Sequence, residues 1–338
     1  MWELGLTSVE PTAALKSAKR HSCCASLSID LDNEWAYLRS RGDPRWRSYP
    51  SYLGAVVPQM LDILKRRGLQ VTFFMVGKDA ENPNNRDSLA SISGSGHEVG
   101  NHSFRHELWL SRYSEQELQW ELMEAEQRLE ETTGQRPRGF RAPGFNHSNE
   151  TLKILAQRGY KYDASTFPSF LGPIARAYHL GKASFSQEER TNLGNLFGGW
   201  QEGLRPLKPY RCRLGRTSLI EIPVTTYPVL RMPIHSTYVM YLAGISQRLA
   251  VNYFKSAMTL CRYLSVEPSI LLHPIDFITG ADWPTLAAFP GMRLDARRKR
   301  AVLEECLDSL QDYWPVVSLE KHAAAIAERG DLPTLSIA

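Results

Sequence analysis

Apolar and polar positions along the chain follow two rhythms. Short apolar or β-branched runs read as strands at Ala25–Leu31, Gln70–Val76, His97–Asn101, Gly139–Arg141, Tyr160–Ala164, Ser218–Val224 and Ser269–His273, with a further run at Val316–Leu319. Between them the apolar residues recur at helical spacing. Pro50–Arg67 stops at Gly68, and Ser148–Arg158 stops at Gly159. Ser114–Thr133 opens with a capping box, Ser114 with Glu117, and carries Leu118, Leu122, Ala125 and Leu129 along one face.

Strands alternating with helices favour parallel pairing, because parallel neighbours need a crossover and a helix supplies it. Seven such strand–helix units are enough to close a barrel, in which catalytic groups gather at the C-terminal ends of the strands. Residues 168–217 break the alternation. They are rich in Gly, Pro and Arg and read as a long excursion over one face, a natural place for a substrate lid or binding loop. The chain shows no internal repeat or clear linker, so residues 1–338 are read as one domain, with a catalytic core at about 24–276 and a C-terminal extension of helix and strand at 277–338.

Composition adds little beyond an ordinary globular protein, 43% hydrophobic and 22% charged. A net charge of +4 from 40 basic and 36 acidic residues is too balanced to imply nucleic acid. The run Arg297-Arg298-Lys299-Arg300 reads as a solvated helix face, with a phosphate or anionic-membrane patch as the alternative. The five cysteines contain no CxxC pair, so neither a structural zinc site nor a disulfide framework is expected; Cys23 and Cys24 read as buried thiols. The N-terminus lacks the basic start and continuous apolar stretch of a signal peptide, and Met232–Gln247 is too short and too broken to span a bilayer. The chain therefore reads as cytoplasmic, with membrane association open: Tyr238–Leu249 either packs in the core or touches a lipid surface.

Candidate chemistry sits at the ends of the expected strands. In His102-Ser103-Phe104-Arg105-His106, two imidazoles four residues apart share one face if the segment is helical. Asp30-Leu31-Asp32 places two carboxylates at the end of an apolar strand, where something positive must compensate them. Asp32, His102 and His106 form a two-His, one-carboxylate set with an open position, the arrangement of a catalytic zinc; Co²⁺, Ni²⁺ or Mn²⁺ suit the same donors. Arg141, ahead of Pro143-Gly144, can hold a carboxylate by a bidentate pair, and the Gly144 N–H can face an oxyanion. His273 ends the apolar strand SILL and, beside a metal set, reads as a general acid. Asp163 can pair with an imidazole and keep it charged. Trp35, Tyr37, Trp46, Tyr49 and Tyr52 with interleaved arginines suit sugar faces and an anion, although a packing role is open for most. His235, polar in an apolar stretch, is a candidate to line the site.

With those residues assembled, the chain resembles the polysaccharide deacetylase (NodB-homology) family, carbohydrate esterase family four. It matches five family motifs over roughly residues 24–276: Asp30-Leu31-Asp32, His102 to His106, Arg141-Ala142-Pro143, Asp163, and Leu271-Leu272-His273. The resemblance implies a distorted (β/α) barrel of about seven strands. It implies Asp30 as general base, Asp32, His102 and His106 as ligands of one divalent metal, and His273 as general acid. Arg141 would orient the base and Asp163 would tune the acid. Leu31 separates the two aspartates, which many members have adjacent. The Asp-x-Asp form resembles a branch that includes peptidoglycan deacetylase-like enzymes and deformylases of lipid-linked amino sugars. Gly144 also departs, standing where many members carry an aromatic residue. The expected substrate is an acetylated (or formylated) amino sugar on a nucleotide or lipid carrier, with a cell-wall or chitin-type polymer next. A non-sugar amidase, an O-acetyl esterase and a catalytically silent binding protein are the rival classes.

Overall fold

In the computed structural model, which describes residues 23–171, 200–330 and 332–337, the strand β1 (Ala25–Asp30) is buried along its whole length. The others, in chain order, are β2 (Thr72–Met75), β3 (Glu98–Asn101), β4 (Gly139–Phe140), β5 (Tyr162–Asp163), β6 (Tyr210–Leu214), β7 (Thr217–Glu221), β8 (Ser269–Leu272), β9 (Val316–Val317) and β10 (Thr334–Ser336). They form one sheet in the order β10-β6-β7-β5-β4-β3-β2-β1-β8, with β9 beside β1. Among these pairs only β6 and β7 are antiparallel. Beyond β7 the chain reaches β8, where the Thr225 N–H donates to Ser269 O (2.9 Å) and the Ser269 N–H donates to Thr225 Oγ1 (2.7 Å). These two bonds link the ends of the parallel run β7-β5-β4-β3-β2-β1-β8, the barrel expected from the strand–helix alternation in the distorted (β/α)7-type form that the resemblance implied.

The alternation of side chains along β1 decides what the barrel can hold. Leu27, Ile29 and Leu31 pack in the main apolar cluster with the helix Leu53–Arg66 and the helix Gln247–Tyr263. Ser28 and Asp30 take the other face, where both accept hydrogen bonds from Arg141. The pairing continues one residue past the strand, with Leu31 N–H donating to Phe74 O. A spacing of two therefore sends Asp30 and Asp32 to the same side, and Leu31 between them anchors the turn in the core. The helix stops also behave as read: Gly68 (φ 62°) and Gly159 (φ 81°) have the left-handed backbone that ends their helices. The capping box of Ser114 and Glu117 is present on the helix Glu115–Thr133.

Four expectations need correction. Part of the 168–217 excursion, residues 172–199, lies outside the described residues. Its last part is not a lid, because Tyr210–Leu214 is the strand β6, held by an antiparallel ladder to β7. Cys23 is exposed; Cys24 alone of that pair is buried. The basic run at 297–300 is not a wholly solvated face. The Lys299 ammonium is buried and donates to the carbonyls of Ile275 and Ile278 (both 2.5 Å), tying the loop after β8 to the helix Ala296–Tyr313. Last, His102–His106 is not helical: Ser103 (φ 62°) and His106 (φ 54°) are left-handed, and the segment is a bent loop.

Candidate metal centre and active site

The bent loop does what a helix was expected to do. Its backbone is fixed by buried acceptors on either side. Asn101 Oδ1 accepts from Ser103 N–H (2.8 Å), Ser103 Oγ accepts from His106 N–H (3.1 Å), and Glu121 Oε1 accepts from both Phe104 N–H (3.0 Å) and Arg105 N–H (2.5 Å). Glu121 is fully buried on the helix Glu115–Thr133. The sequence reading missed it, although a glutamate on the same helical face as Leu118, Leu122 and Ala125 was the available signal.

On the opposite side, Asp32 is held by its neighbours. Tyr52 donates its hydroxyl to the Asp32 carbonyl. Asn33 caps the helix Glu34–Ser40 through its Oδ1 and donates its Nδ2 to Asp79 Oδ1 (2.7 Å). Asp32 Oδ1 then lies 3.0 Å from His106 Nε2 and 3.5 Å from His102 Nε2. The imidazoles outweigh the penalty of burial and hold the Asp32 carboxyl well below the usual carboxylate range.

The donor chemistry points to a cation at this spot. His102 Nδ1 lies 2.6 Å from the carbonyl of Arg141, which can only accept, so Nδ1 carries a proton; in the neutral form that a metal ligand needs, Nε2 would be the bare nitrogen facing Asp32. Asp32 Oδ1 is itself buried without a hydrogen-bond donor. One ligand atom from each of Asp32, His102 and His106 falls within 4.8 Å of the others. Lone pairs converging in a buried space repel unless a positive charge lies between them. The residues present therefore fit one divalent ion.

Beside this cluster, Asp30 is nearly buried. Arg141, fully buried, donates through Nη1 to Asp30 Oδ1 (2.7 Å) and Ser28 Oγ (2.8 Å), and through Nε to Ala164 O (2.9 Å). The expected bidentate fork is not formed: Nη2 is left without an acceptor, and the guanidinium lies 4.4 Å from the centre of the Phe74 ring. Asp30 Oδ2 faces the cluster, 4.0 Å from His102 Nε2.

The remaining candidates divide. His273 ends β8, its backbone N–H donates to Asp276 Oδ2 (2.7 Å), and its Nδ1 lies 3.5 Å from Thr237 Oγ1. His235 is its neighbour, with ring centroids 6.4 Å apart; burial, and then the His273 charge, push the His235 imidazole down to about 3. Asp163 does not pair with His273. It accepts from Ser165 Oγ (2.6 Å) and shares a hydrogen bond with Glu221, whose carboxyl burial and the Asp163 charge raise well above the usual range. β5 and β7 are adjacent and Asp163 is in register with Glu221, which brings the two buried carboxyls together inside the sheet. Glu221 went unnoticed in the sequence, where it reads as one polar position within a strand. Trp35 is buried too, and its Nε1–H donates to Asp79 Oδ1 (2.8 Å). Its ring packs edge-on behind His106 rather than facing a substrate. Tyr37 and Tyr52 are likewise buried, so packing accounts for them. Gly144 takes a left-handed conformation (φ 58°) in the turn Pro143–Phe145, and a Cβ there would come 3.2 Å from Leu108 Cδ2. A cleft next to His106 is lined by Arg39, Glu107 and Trp109, and the Arg39 guanidinium lies 4.7 Å from the Trp46 ring centre and 5.5 Å from that of Trp109.

A second group, Cys24, Glu267 and His322, also brings ligand atoms within 4.8 Å. Here both Glu267 oxygens already accept from Arg329, each at 2.7 Å, so the carboxylate is neutralised without an ion.

Comparison with known proteins bears on the family and the fold. Residues 48–162 match the polysaccharide deacetylase family model. The chain is 28% identical over 208 residues to a peptidoglycan deacetylase of Helicobacter pylori, covering 60% of this chain and 65% of that protein. It is 30% identical over 104 residues to a peptidoglycan-N-acetylglucosamine deacetylase of Bacillus cereus, covering 31% of this chain and 47% of the relative. The chain thus spans less than two thirds of the length of these curated relatives. A crystal structure of a candidate polysaccharide deacetylase from Mycobacterium smegmatis superposes with a TM-score of 0.63 at 20% identity, covering 99% of each chain. That likeness establishes the fold of the described residues.

Proposed function

We propose that this chain, a member of the polysaccharide deacetylase family, is a metal-dependent hydrolase that removes an N-acetyl or N-formyl group from an amino sugar. The observation that carries the reading is the convergence of Asp32, His102 and His106 beside an Asp30 whose charge is balanced by a fully buried arginine. Asp32, His102 and His106 would hold one divalent ion, zinc before cobalt, nickel or manganese. When bound, it supplies Lewis acidity toward a carbonyl and lowers the pKa of a water.

The chain's own residues account for the proton transfers. Arg141 occupies Asp30 Oδ1 and leaves Oδ2, on the side of His102, to take a proton from the attacking water. His273, placed at the end of β8 with its backbone anchored on Asp276, gives a proton to the departing amine nitrogen. His235, kept neutral beside it, adds no competing positive charge. The Gly144 N–H is the oxyanion donor in this scheme. Products are acetate or formate and a free amino sugar.

For the substrate, the aromatic rings of Trp46 and Trp109 suit a sugar face, with the Arg39 guanidinium beside them already paired with Glu107 (2.6 Å); a nucleotide or lipid phosphate on that sugar is the reading carried over from the sequence. The second reading, a peptidoglycan-type polymer, is favoured by the curated relatives.

The test pairs two variants. Asp30→Asn should retain metal and lose turnover by about 10²–10⁴-fold, whereas His102→Ala should lose both. Metal content by plasma mass spectrometry and acetate release from N-acetylglucosamine oligomers and nucleotide- or lipid-linked sugars provide the two readouts. An Asp30→Asn enzyme with near-normal turnover overturns the base assignment. A wild-type chain that takes up no divalent ion overturns the metal reading.

A further inference from the structure

The helix whose N-cap is His235, Ser236–Ile245, begins at the active-site rim and runs into the helix Gln247–Tyr263 through an extended Ser246. Its outer side is unusually apolar. Ile245 is 67% exposed and Tyr241 59%, and Leu249, at the start of the second helix, is 47% exposed. Beside its start, the turn joining Thr226 and Pro233 exposes Val229 (71%) and Leu230. Tyr253 ties these parts together, stacking on Tyr227 from the turn and lying 5.8 Å from Tyr238 on the first helix. Scattered exposed apolar residues need no explanation, but a continuous strip on one helical hairpin does.

Charge identifies the occupant. From Ile222 to Val266 the sequence contains no Asp or Glu, but it contains Arg231, Arg248, Lys255 and Arg262. The last three recur at seven-residue intervals, so they share one face of the helix Gln247–Tyr263, and all three are exposed. Glu305, on the neighbouring helix, is hydrogen-bonded to Gln247. Exposed aliphatics and tyrosines on a segment that carries cations and no anion of its own match the headgroup zone of an anionic bilayer. Protein–protein interfaces are depleted of lysine as well as of aspartate and glutamate, whereas here the acidic residues are missing and the cations remain. Among the described residues no helix is long and apolar enough to cross a membrane.

We propose that this hairpin and turn form a membrane-docking surface for anionic phospholipid, which sets the rim at His235 and His273 against the headgroups. The surface stands on its own geometry; only its use, presenting a substrate carried on a lipid phosphate, rests on the deacetylase reading.

The test is co-sedimentation of the full chain with vesicles of phosphatidylcholine alone or mixed with phosphatidylglycerol. The chain should bind the mixed vesicles and lose binding as salt rises. Ile245→Glu with Leu249→Glu should weaken binding by about tenfold or more, and Arg248→Glu with Lys255→Glu by about tenfold on the mixed vesicles only. Deacetylation of a soluble acetylated amino sugar should be unchanged in both variants. No vesicle binding, or equal binding by wild type and variants, overturns the proposal. So does a dimer in sedimentation velocity that Ile245→Glu dissolves, since a second copy would then cover the face. Vesicle binding without any deacetylation leaves the surface standing and overturns the activity instead.

Discussion

Removing the positive charge from Arg141 is the most direct probe of the arrangement. Arg141→Met replaces the side chain only as far as Nε and deletes the guanidinium that lies against the Phe74 ring, so the single variant combines lost charge and hydrogen bonds with a small cavity, and the double-variant comparison separates the two. The substitution leaves Asp30, nearly buried, without a cation, and removes donors from Ser28 Oγ and Ala164 O. Breaking one side of a buried ion pair costs about 3–5 kcal/mol, a large part of the ~5–15 kcal/mol that holds a folded chain. Asp30→Asn strands the opposite charge and should also destabilise, but the double variant strands neither. Its cost should fall short of the sum of the single costs by roughly 2–3 kcal/mol. Urea unfolding of the four proteins at neutral pH, followed by tryptophan fluorescence with chelator present so that no bound ion shifts the equilibrium, gives the cycle. Single-variant costs that add to within about 0.5 kcal/mol, or an Arg141→Met cost under about 1 kcal/mol, would refute a working Asp30–Arg141 pair.

Two further outcomes follow from groups outside the ligand set. Glu121→Leu orphans the N–H groups of Phe104 and Arg105 and should lower divalent-metal affinity by ~10–100-fold, as loss of a supporting hydrogen bond does; Glu121→Gln keeps an acceptor oxygen and should retain most of it. Equilibrium dialysis decides, and equal losses in both variants would count against the hydrogen-bonding role. In the Glu267 cluster, burial opposes ionisation, but His322 and Arg329 outweigh it and bring the Glu267 carboxyl down to about 2. Because the folded value is depressed, its stabilising contribution is complete above the ordinary value of about 4.5 and is lost as pH falls toward about 2. Arg329→Met should flatten that part of the stability curve, and a variant whose urea midpoint falls with acid as steeply as wild type would contradict the assignment.

The sequence by itself determined the rhythm of strands and helices, the helix stops at Gly68 and Gly159, and the residues with ligand or acid–base chemistry at strand ends. These are local properties: periodicity, capping and left-handed glycine act within a few residues. Tertiary structure decided how the chemistry is brought together. The histidines converge because Glu121, distant in the chain, holds a bent loop, not because a helix repeats every four residues. Asp163 was read as a partner of His273, but the register of β5 on β7 gives it Glu221. Trp35 looked like a sugar platform, yet Asp79 takes its indole N–H and buries it. Lys299, one of four basic residues in a row, is withdrawn from solvent because two carbonyls of the loop after β8 need a donor. In each case a buried polar group had to find a partner, and which partner lies within reach depends on the packing of segments far apart in the chain.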